Sequence, residues 1–280
     1  MSGEFMKYII GIDMGGSTTK IVVCSQNQNI YATHQWKTEI CIDDFLDNLK
    51  CFLLSSDILL QSVLKFVLTG VRSSFVKGNI FNIPTTKVSE FEAIGCGGLY
   101  LSKLEKALVI SMGTGTALVM ADYEQRTHIG GSGLGGGTLC GLGKLLLGAT
   151  DIWEISNLAT QGKSEKIDLL VRDICCDQIA SLPLCLTASN FGKVSPLCSK
   201  SDIALGLFNM VYHNIGKIAV FSTQNTPIKN IVLTGSLATT RQAHEIFPLM
   251  GELFGLAFII PEQATFATAL GSIVYPIQKN

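Results

Sequence analysis

Two short segments with nearly the same order of residue types constrain the fold of this chain more than any other feature. Ile12-Asp-Met-Gly-Gly-Ser-Thr18 is similar to Ile110-Ser-Met-Gly-Thr-Gly-Thr116, and each lies between two runs of apolar and β-branched residues. A turn rich in Gly, Ser and Thr between two such runs predicts a β-hairpin. Small residues also make ordinary tight turns, so that simpler interpretation stays open. Together the two hairpins predict a duplicated βββα unit and therefore two lobes.

A third glycine-rich segment, Gly130–Gly137, is called the glycine loop below. It passes directly into the helix-like sequence 139–147, and six of the nine residues 130–138 are glycine. Glycine lets several backbone N–H groups approach one ligand, and a following helix adds unpaired first-turn donors and the positive end of its dipole. The loop therefore predicts a phosphate site, with tight helix packing as the alternative use. The three segments together favour a nucleotide held between the lobes.

Hydrophobic periodicity predicts the elements around these segments. Asp151, followed by Glu154, predicts a helix N-cap with a capping glutamate. Strands are predicted at 8–12, 20–24, 30–36, 63–68, 108–120 (two strands and their turn), 228–233 and 256–260, and helices at 42–54, 139–147, 152–159, 166–175, 201–221, 240–253 and 265–275.

Composition narrows the class of protein. The chain has 280 residues, 47% of them apolar, which suits two lobes with substantial cores. A net charge of −1 gives no reason to expect nucleic acid or an anionic membrane as a partner. No apolar run approaches the length of a membrane span, and neither Met1 nor Met6 begins a secretory signal, so a cytoplasmic protein is expected. The nine cysteines lack metal-ligand spacing, which favours reduced thiols.

Several motifs then occur in the order found in type II pantothenate kinases, and the chain resembles that family from residue 7 to about residue 275. The resemblance implies a two-lobed actin-like (ribonuclease H-like) α/β ATPase fold with a duplicated βββαβα core and the nucleotide in the cleft. It also implies phosphorylation of the primary hydroxyl of pantothenate by ATP and Mg²⁺ at the start of coenzyme A synthesis, by a homodimer. The motifs are Asp13-x-Gly-Gly-Ser-Thr18, Glu90-Phe-Glu92, Gly113-Thr-Gly-Thr116, the glycine loop, Thr187-Ala-Ser-Asn-Phe-Gly192 and Thr234-Gly-Ser236.

Under this resemblance the chain divides near residue 100. Residues 6–100 form an N-terminal lobe with the first hairpin, and residues 101–280 form a C-terminal lobe with the glycine loop, the adenosine site and helices of the dimer interface. Whether coenzyme A or its thioesters inhibit the enzyme is left open.

The first hairpin is predicted to hold the metal and the β- and γ-phosphates. Asp13 ends a strand beside the glycine turn, where a carboxylate can hold Mg²⁺ through water, although an Asp can also cap its own turn. Lys20 either adds positive charge or lies on a solvated strand face. The predicted nucleotide-binding residues of this hairpin are Gly15, Gly16, Ser17, Thr18, Thr19 and Lys20.

The C-terminal lobe is predicted to complete the nucleotide site. Thr114 is expected to contact phosphate or the acceptor substrate, and Ile152 aligns with a family position near the adenine, with an ordinary core role as the alternative. The other predicted nucleotide-binding residues here are Gly115, Thr116, Gly136, Gly137, Thr138, Leu139, Cys140, Gly235 and Ser236.

Glu90 aligns with the catalytic glutamate of the family, the proposed base for the pantothenate hydroxyl. Glu92 is the competing candidate, since the family position is also acidic. Residues two apart on a helix point in different directions, so one of the two is expected to face the substrate. Either could instead be an exposed glutamate favoured by the helix dipole.

The chain departs from the family pattern directly before the paired glycines of the glycine loop, where His128 replaces the usual arginine. His128 is assigned to the acceptor site, although it lacks the planar fork of donors of arginine. Arg126 would share a face with His128 on a strand, and it or Arg72 is a candidate to supply the charge; each could equally be a surface arginine. Ala117 replaces a serine of many relatives.

Two rival functions follow from these departures. One is a kinase of the same superfamily that acts on another hydroxyl, such as that of an amino sugar; the other is an ATP or acyl-coenzyme A sensor with impaired catalysis. Pantetheine-like amides are also considered as acceptors.

Overall fold

Five strands in the first part of the chain form a sheet that combines an antiparallel meander with two parallel strands. The structure is a computed structural model and describes residues 6–175 and 183–275. The two strands at the start of the meander are buried almost throughout, which explains their nearly continuous apolar sequence. In spatial order β3-β2-β1-β4-β5, the strands are β1 (Tyr8–Met14), β2 (Thr18–Ser25), β3 (Ile30–Lys37), β4 (Val63–Thr69) and β5 (Thr85–Lys87).

One amphipathic helix, α1 (Ile42–Ser55), covers one face of this sheet. It begins after Cys41, whose Sγ accepts the amide of Asp43, and it buries Phe45 and Leu49 against β1, β2 and β4. Its bounds agree with the predicted helix at 42–54.

A second sheet repeats the arrangement of the first. Its order, β12-β11-β6-β7-β8, again places a meander beside two parallel strands, so the predicted duplication is confirmed. In chain order, the elements after β5 are α2 (Glu90–Ser102), β6 (Lys106–Met112), β7 (Thr116–Asp122), β8 (Arg126–Ser132), α3 (Gly136–Leu146), α4 (Ile152–Ala159), α5 (Ser164–Ile167), β9 (Leu169–Leu170), α6 (Val171–Ile174), β10 (Thr187–Ser189), α7 (Lys200–Thr223), β11 (Asn230–Thr234), α8 (Arg241–Phe254), β12 (Ala257–Ile259) and α9 (Ala267–Val274).

Two helices cross between the sheets. Helix α2 packs on the second sheet through Val109 and Val119, whereas α9, near the end of the chain, packs on the first sheet against Val22. The two helices meet at glycines, because a Cβ at Gly97 would lie 1.9 Å from the Ala267 carbonyl oxygen and one at Gly271 would lie 1.9 Å from that of Ala93. The chain therefore returns to its first sheet after completing the second, and the division at residue 100 stays a prediction.

The longest helix, α7, forms the centre of the second core. It buries Phe208 and Tyr212, and the Tyr212 hydroxyl donates to the Leu237 carbonyl at 2.9 Å. By length and composition alone α7 could cross a membrane, so the expectation that no apolar run approaches that length is wrong. Because 61% of its apolar window is buried inside the protein, α7 has the character of a core helix.

The predicted helix at 166–175 is wrong. The segment is divided into α5, the two-residue strand β9 and α6. Asp168 interrupts the helix, since its buried carboxylate accepts the Phe191 amide and the Asn209 side-chain amide at 2.9 and 2.8 Å. These contacts come from distant parts of the chain and override local helical periodicity. Met1, considered above as the start of a secretory signal, and Cys176, one of the nine cysteines, lie outside the described residues.

Candidate active site

The first hairpin places a buried carboxylate and a buried ammonium side by side. Asp13 on β1 and Lys20 on β2 are cross-strand partners, 8% and 6% exposed. Burial raises the pKa of the Asp13 carboxyl, and the Lys20 charge partly opposes that rise. Burial also lowers the pKa of Lys20. Lys20 therefore does not lie on a solvated strand face but is buried beside Asp13.

The turn of the first hairpin is closed by its own backbone, with the Gly15 amide donating to the Thr18 carbonyl at 3.2 Å. Thr38, directly after β3, braces the turn because its hydroxyl donates to the Gly15 carbonyl at 3.0 Å. Gly16 and Ser17 are exposed at the tip. Since the turn is satisfied without the Asp13 carboxylate, that side chain is left for another partner.

A supporting residue that the sequence did not assign to the site is Gly70. It follows β4 with φ +88°, and a Cβ there would lie 2.6 Å from both Asp13 Oδ1 and the Met14 carbonyl oxygen. Gly235 has the same position after β11, with φ +89°, and a Cβ there would lie 2.4 Å from the Met112 carbonyl oxygen. Only glycine combines this φ with such close approach. The Thr-Gly dipeptide at the end of β4 and at the end of β11 is the signal that could have revealed the pair.

The second hairpin contacts both the first hairpin and the glycine loop. Thr114 Oγ1 lies 2.9 Å from Ser17 Oγ, which joins the tips of the two hairpins. The amides of Gly136 and Gly137 donate to the carbonyls of Gly113 and Thr114 at 2.8 and 2.9 Å. These two amides are engaged with the hairpin, so they are not directed at a phosphate. At these positions the structure supports the packing use of glycine.

The other predicted nucleotide-binding residues of the C-terminal lobe gather around the start of α3. Thr116 and Thr138 hold the glycine loop, since their hydroxyls donate to the carbonyls of Leu134 and Gly133. Leu139 is fully buried, so its side chain serves the core. Burial, followed by the charge of Asp151, raises the pKa of the Cys140 thiol.

Ile152 and Gly235–Ser236 lie on two further elements of this lobe. Ile152 begins α4 after Asp151, which accepts the amides of Trp153 and Glu154, so the predicted N-cap is confirmed. The predicted capping glutamate, Glu154, does not complete a capping box in α4. A Cβ at Gly136 would lie 3.9 Å from Ile152 Cδ1, so this side chain borders the loop–helix junction. Gly235 is buried and Ser236 is half-buried at the start of a 3₁₀ turn.

The two candidate glutamates point to different neighbours. Glu90 is the first residue of α2 and is half-buried; burial raises the pKa of its carboxyl, and the negative charge of Asp13 raises it further. Glu92 instead lies 3.8 Å from Arg126 Nε. Glu90 therefore shares its surroundings with Asp13, whereas Glu92 belongs to an ion pair. A carboxylate with a raised pKa beside a second carboxylate is typical of catalytic groups.

The three basic residues considered for the acceptor site have different surroundings. His128 stacks on Phe91, with ring centroids 3.9 Å apart and planes 9° apart. The Arg126 side chain is 1% exposed and is engaged with Glu92, so it does not replace the arginine of the family. Arg72 donates to the Glu39 carbonyl at 3.0 Å, and its guanidinium lies over the ring of Phe75.

This fold class is that of the two-lobed actin-like ATPases, and solved structures agree with it. An activator of 2-hydroxyisocaproyl-CoA dehydratase from Clostridium difficile with bound ADPNP is similar with a TM-score of 0.70 at 15% identity, covering 97% of this chain and 96% of that chain. A ROK family glucokinase from Streptomyces griseus in complex with glucose and AMPPNP gives 0.62 at 11% identity, covering 95% and 97%. At these identities the likeness shows the fold alone.

Sequence comparison defines the family within this class. The Fumble family model matches residues 102–246. The type II pantothenate kinase of Oceanobacillus iheyensis is 32% identical over 244 residues, which cover 83% of this chain and 86% of the relative. That of Staphylococcus aureus strain USA300 is 30% identical over 277 residues, covering 94% and 98%. The chain belongs to the Fumble family of type II pantothenate kinases, and the predicted family is confirmed.

Proposed function

We propose that this protein transfers the γ-phosphate of ATP to the primary hydroxyl of pantothenate, the first step of coenzyme A synthesis. The observation that carries the proposal is the half-buried Glu90, whose pKa is raised by burial and then by the charge of Asp13, beside two glycine-containing hairpins whose tips touch. Phosphoryl transfer needs charge neutralisation, alignment and a group that takes the proton of the acceptor. The names of the Oceanobacillus and Staphylococcus relatives support pantothenate as that acceptor.

In the proposed reaction Glu90 accepts the hydroxyl proton while the acceptor oxygen forms its bond to the γ-phosphorus. The bond between that phosphorus and the β–γ bridging oxygen breaks, and ADP leaves. The raised pKa of Glu90 makes it a better proton acceptor than an ordinary surface glutamate once it is ionised. Lys20 adds positive charge beside the phosphates.

Asp13 fits a site for Mg²⁺. Within residues 6–175 and 183–275 there is no group of three or more His, Cys, Asp or Glu that could hold a metal alone. One buried carboxylate beside a phosphate-binding turn suits Mg²⁺, which keeps several waters and binds through one or two carboxylates plus substrate phosphates. When bound, the ion supplies neutralisation of the phosphate charge. Asp13 would hold it through water.

A cytoplasmic homodimer is part of this proposal. Leu145 and Leu146 on α3 and Trp153 on α4 are exposed, the first by 80%, and these two helices belong to the C-terminal lobe, to which the sequence assigned the dimer helices. Large exposed apolar side chains in one area are typical of protein interfaces. Coenzyme A or an acyl-coenzyme A is proposed as an inhibitor, because the end product of this synthesis shares the pantothenate portion of the substrate.

The assay compares acceptors. Purified protein is incubated with Mg-ATP and pantothenate, pantetheine or N-acetylglucosamine, and ADP release is followed beside the Glu90→Ala variant, with Glu124→Ala in the exposed β7–β8 turn as a control. We expect turnover with pantothenate that Glu90→Ala removes and Glu124→Ala retains. Turnover with the sugar alone would replace the proposal by an amino-sugar kinase. ATP binding without turnover would favour the sensor, and unchanged turnover in Glu90→Ala would remove the assignment of the base.

A further inference from the structure

Strand β8 contacts the first turn of α2 at two points, through Arg126 and His128. Arg126 Nε lies 3.8 Å from Glu92 Oε2, and the His128 ring stacks on Phe91. The 3.8 Å separation makes the first contact an ion pair rather than a direct hydrogen bond. Phe91 and Glu92 directly follow Glu90 in the helix. These four residues, Arg126, His128, Phe91 and Glu92, are called the β8 clamp.

The start of α2 depends on these tertiary contacts. Ser89, the N-cap residue, makes no side-chain capping hydrogen bond, so the local device that usually fixes a first turn is missing at this helix. Gly95 leaves room for the Arg126 side chain, because a Cβ at this position would lie 2.6 Å from Arg126 Cγ. Arg126 also donates from Nη1 to the Tyr123 carbonyl at 3.1 Å. Its guanidinium is thus fixed on the second sheet and holds a helix whose first residue is Glu90.

The other end of β8 belongs to the nucleotide side of the cleft. Ser132, the last residue of β8, pairs with Thr116 of the second hairpin. The chain then continues through the glycine loop, where Gly136 and Gly137 donate to that same hairpin. One strand of seven residues therefore joins the segments around the phosphates to the turn that carries Glu90.

We propose that β8 couples the two halves of the active site: Arg126 is a positioning residue that acts through Glu92 to hold Glu90 at the acceptor, in register with the phosphate-binding turns. The inference rests on the proposed function for the role of Glu90. The stacked His128–Phe91 pair assists by fixing the other side of the turn. In this arrangement the second glutamate of Glu90-Phe-Glu92 orients the helix and takes no proton.

The main test uses Glu92→Gln, which keeps the shape of a half-buried side chain and removes its charge. We expect kcat to fall by about 10²-fold, the order of loss that a misplacement near 1 Å produces. The KM for ATP should stay close to that of the wild type. A displaced Glu90 becomes more exposed, and the burial that raises its pKa is then reduced. The acid limb of the kcat–pH profile should therefore move to lower pH. Glu124→Gln, on the exposed turn before β8, is the matched control and should retain wild-type values.

A conservative variant separates charge from packing. Arg126→Lys keeps a positive charge near Glu92 and should retain more of kcat than Arg126→Met. If Arg126→Met does not fold, the Glu92→Gln data decide the question alone. A loss of kcat without a shift of the pH limb would mean a purely structural role and would overturn the inference, as would wild-type kcat in Glu92→Gln.

A second measurement does not require the correct acceptor. Hydrogen exchange of the amides in the first turn of α2 is measured with and without a non-hydrolysable ATP analogue. We expect the analogue to increase protection of this turn in the wild-type protein and to have little effect in Glu92→Gln. Equal responses would overturn the coupling. Failure of pantothenate phosphorylation with a normal exchange response would instead reject only the proposed acceptor.

Discussion

The two hairpins have the same frame and different chemistry. In the first, the cross-strand pair before the turn is Asp13 and Lys20; at the corresponding position of the second, it is Ser111 and Ala117. Both turns lie against a glycine after a parallel strand, Gly70 in one sheet and Gly235 in the other. The backbone architecture was therefore duplicated, whereas buried charge was placed in one copy only.

The difference assigns separate tasks to the two turns. Burying two charges is costly, so the presence of Asp13 and Lys20 in the first hairpin supports the proposal that this hairpin binds ions. The second hairpin instead uses its carbonyls to accept the amides of Gly136 and Gly137 and so organises the glycine loop. In this proposal the first hairpin interacts with the charge of the ligand, and the second positions the backbone of the glycine loop.

The largest expected effect comes from substituting the residue that occupies the same position in each hairpin, Asp13 in the first and Ser111 in the second. Asp13→Asn should lower kcat by roughly 10²–10³-fold, the loss typical of removing one preorganised charge-stabilising group. Ser111→Ala, at the same position of the second hairpin, should have little effect. ADP release at saturating ATP and acceptor measures both. Similar losses in the two variants would show that the hairpins share one task.

The pH dependence is expected to report Glu90, whose pKa is raised in part by Asp13 of the first hairpin. The base must be ionised, and burial followed by Asp13 raises the pKa of Glu90 above its ordinary value of 4.5, so kcat/KM should be full at high pH and fall as pH decreases through the raised pKa. Glu90→Gln should remove this limb and about 10²–10⁴-fold of the rate.

Asp122 at the end of β7 provides the control for that profile. Amides of its own turn, first that of Gln125, lower the pKa of Asp122, so Asp122→Asn should leave the acid limb unchanged. An acid limb at or below the ordinary pKa of a glutamate in the wild-type enzyme would contradict the assignment of Glu90.

Two glycine substitutions separate ligand approach from packing. A Cβ at Gly16 would lie 3.6 Å from Thr114 Oγ1, an ordinary contact, so Gly16→Ala should fold normally and weaken ATP binding by blocking the phosphates. A Cβ at Gly135 would lie 2.6 Å from the Thr114 carbonyl oxygen, so Gly135→Ala should cost about 1–3 kcal/mol of stability, as overpacking does. Thermal unfolding measures the stability of both variants, and titration with ATP measures their affinity. A destabilised Gly16→Ala together with a stable Gly135→Ala that binds ATP weakly would show that Gly16 serves packing and Gly135 serves ligand approach.

The smallest effect is expected where the hairpins touch. Ser17 and Thr114 hydroxyls lie 2.9 Å apart at an exposed position, and a net hydrogen bond contributes about 0.5–1.5 kcal/mol, with an exposed one near the lower limit. A double-mutant cycle of Ser17→Ala and Thr114→Val should therefore give a small coupling energy. That energy should increase when ATP is bound, since the proposed phosphate site lies between the same two turns. A coupling energy of zero both with and without ATP would show that this contact does not link the two hairpins.

Most of the fold followed from local patterns. The predicted strands at 8–12, 20–24 and 63–68 lie inside β1, β2 and β4, and the predicted helix at 152–159 has the bounds of α4. The buried residues of these segments recur at the spacing of a strand or a helix, so the spacing of apolar residues in the sequence predicts the secondary structure directly. The helix predicted at 166–175 was wrong because the hydrogen-bond partners of Asp168 are residues far away in the chain.

The sequence by itself determined the duplicated hairpins, the family and the two candidate glutamates, because each depends on residue type and order alone. Only the tertiary structure decided that Lys20 is buried beside Asp13, that Glu92 is engaged with Arg126 while Glu90 lies near Asp13, and that α9 returns to the first sheet. The physical reason is that a charge is stabilised by whatever surrounds it in space, and those neighbours come from strands and helices that are distant in the chain.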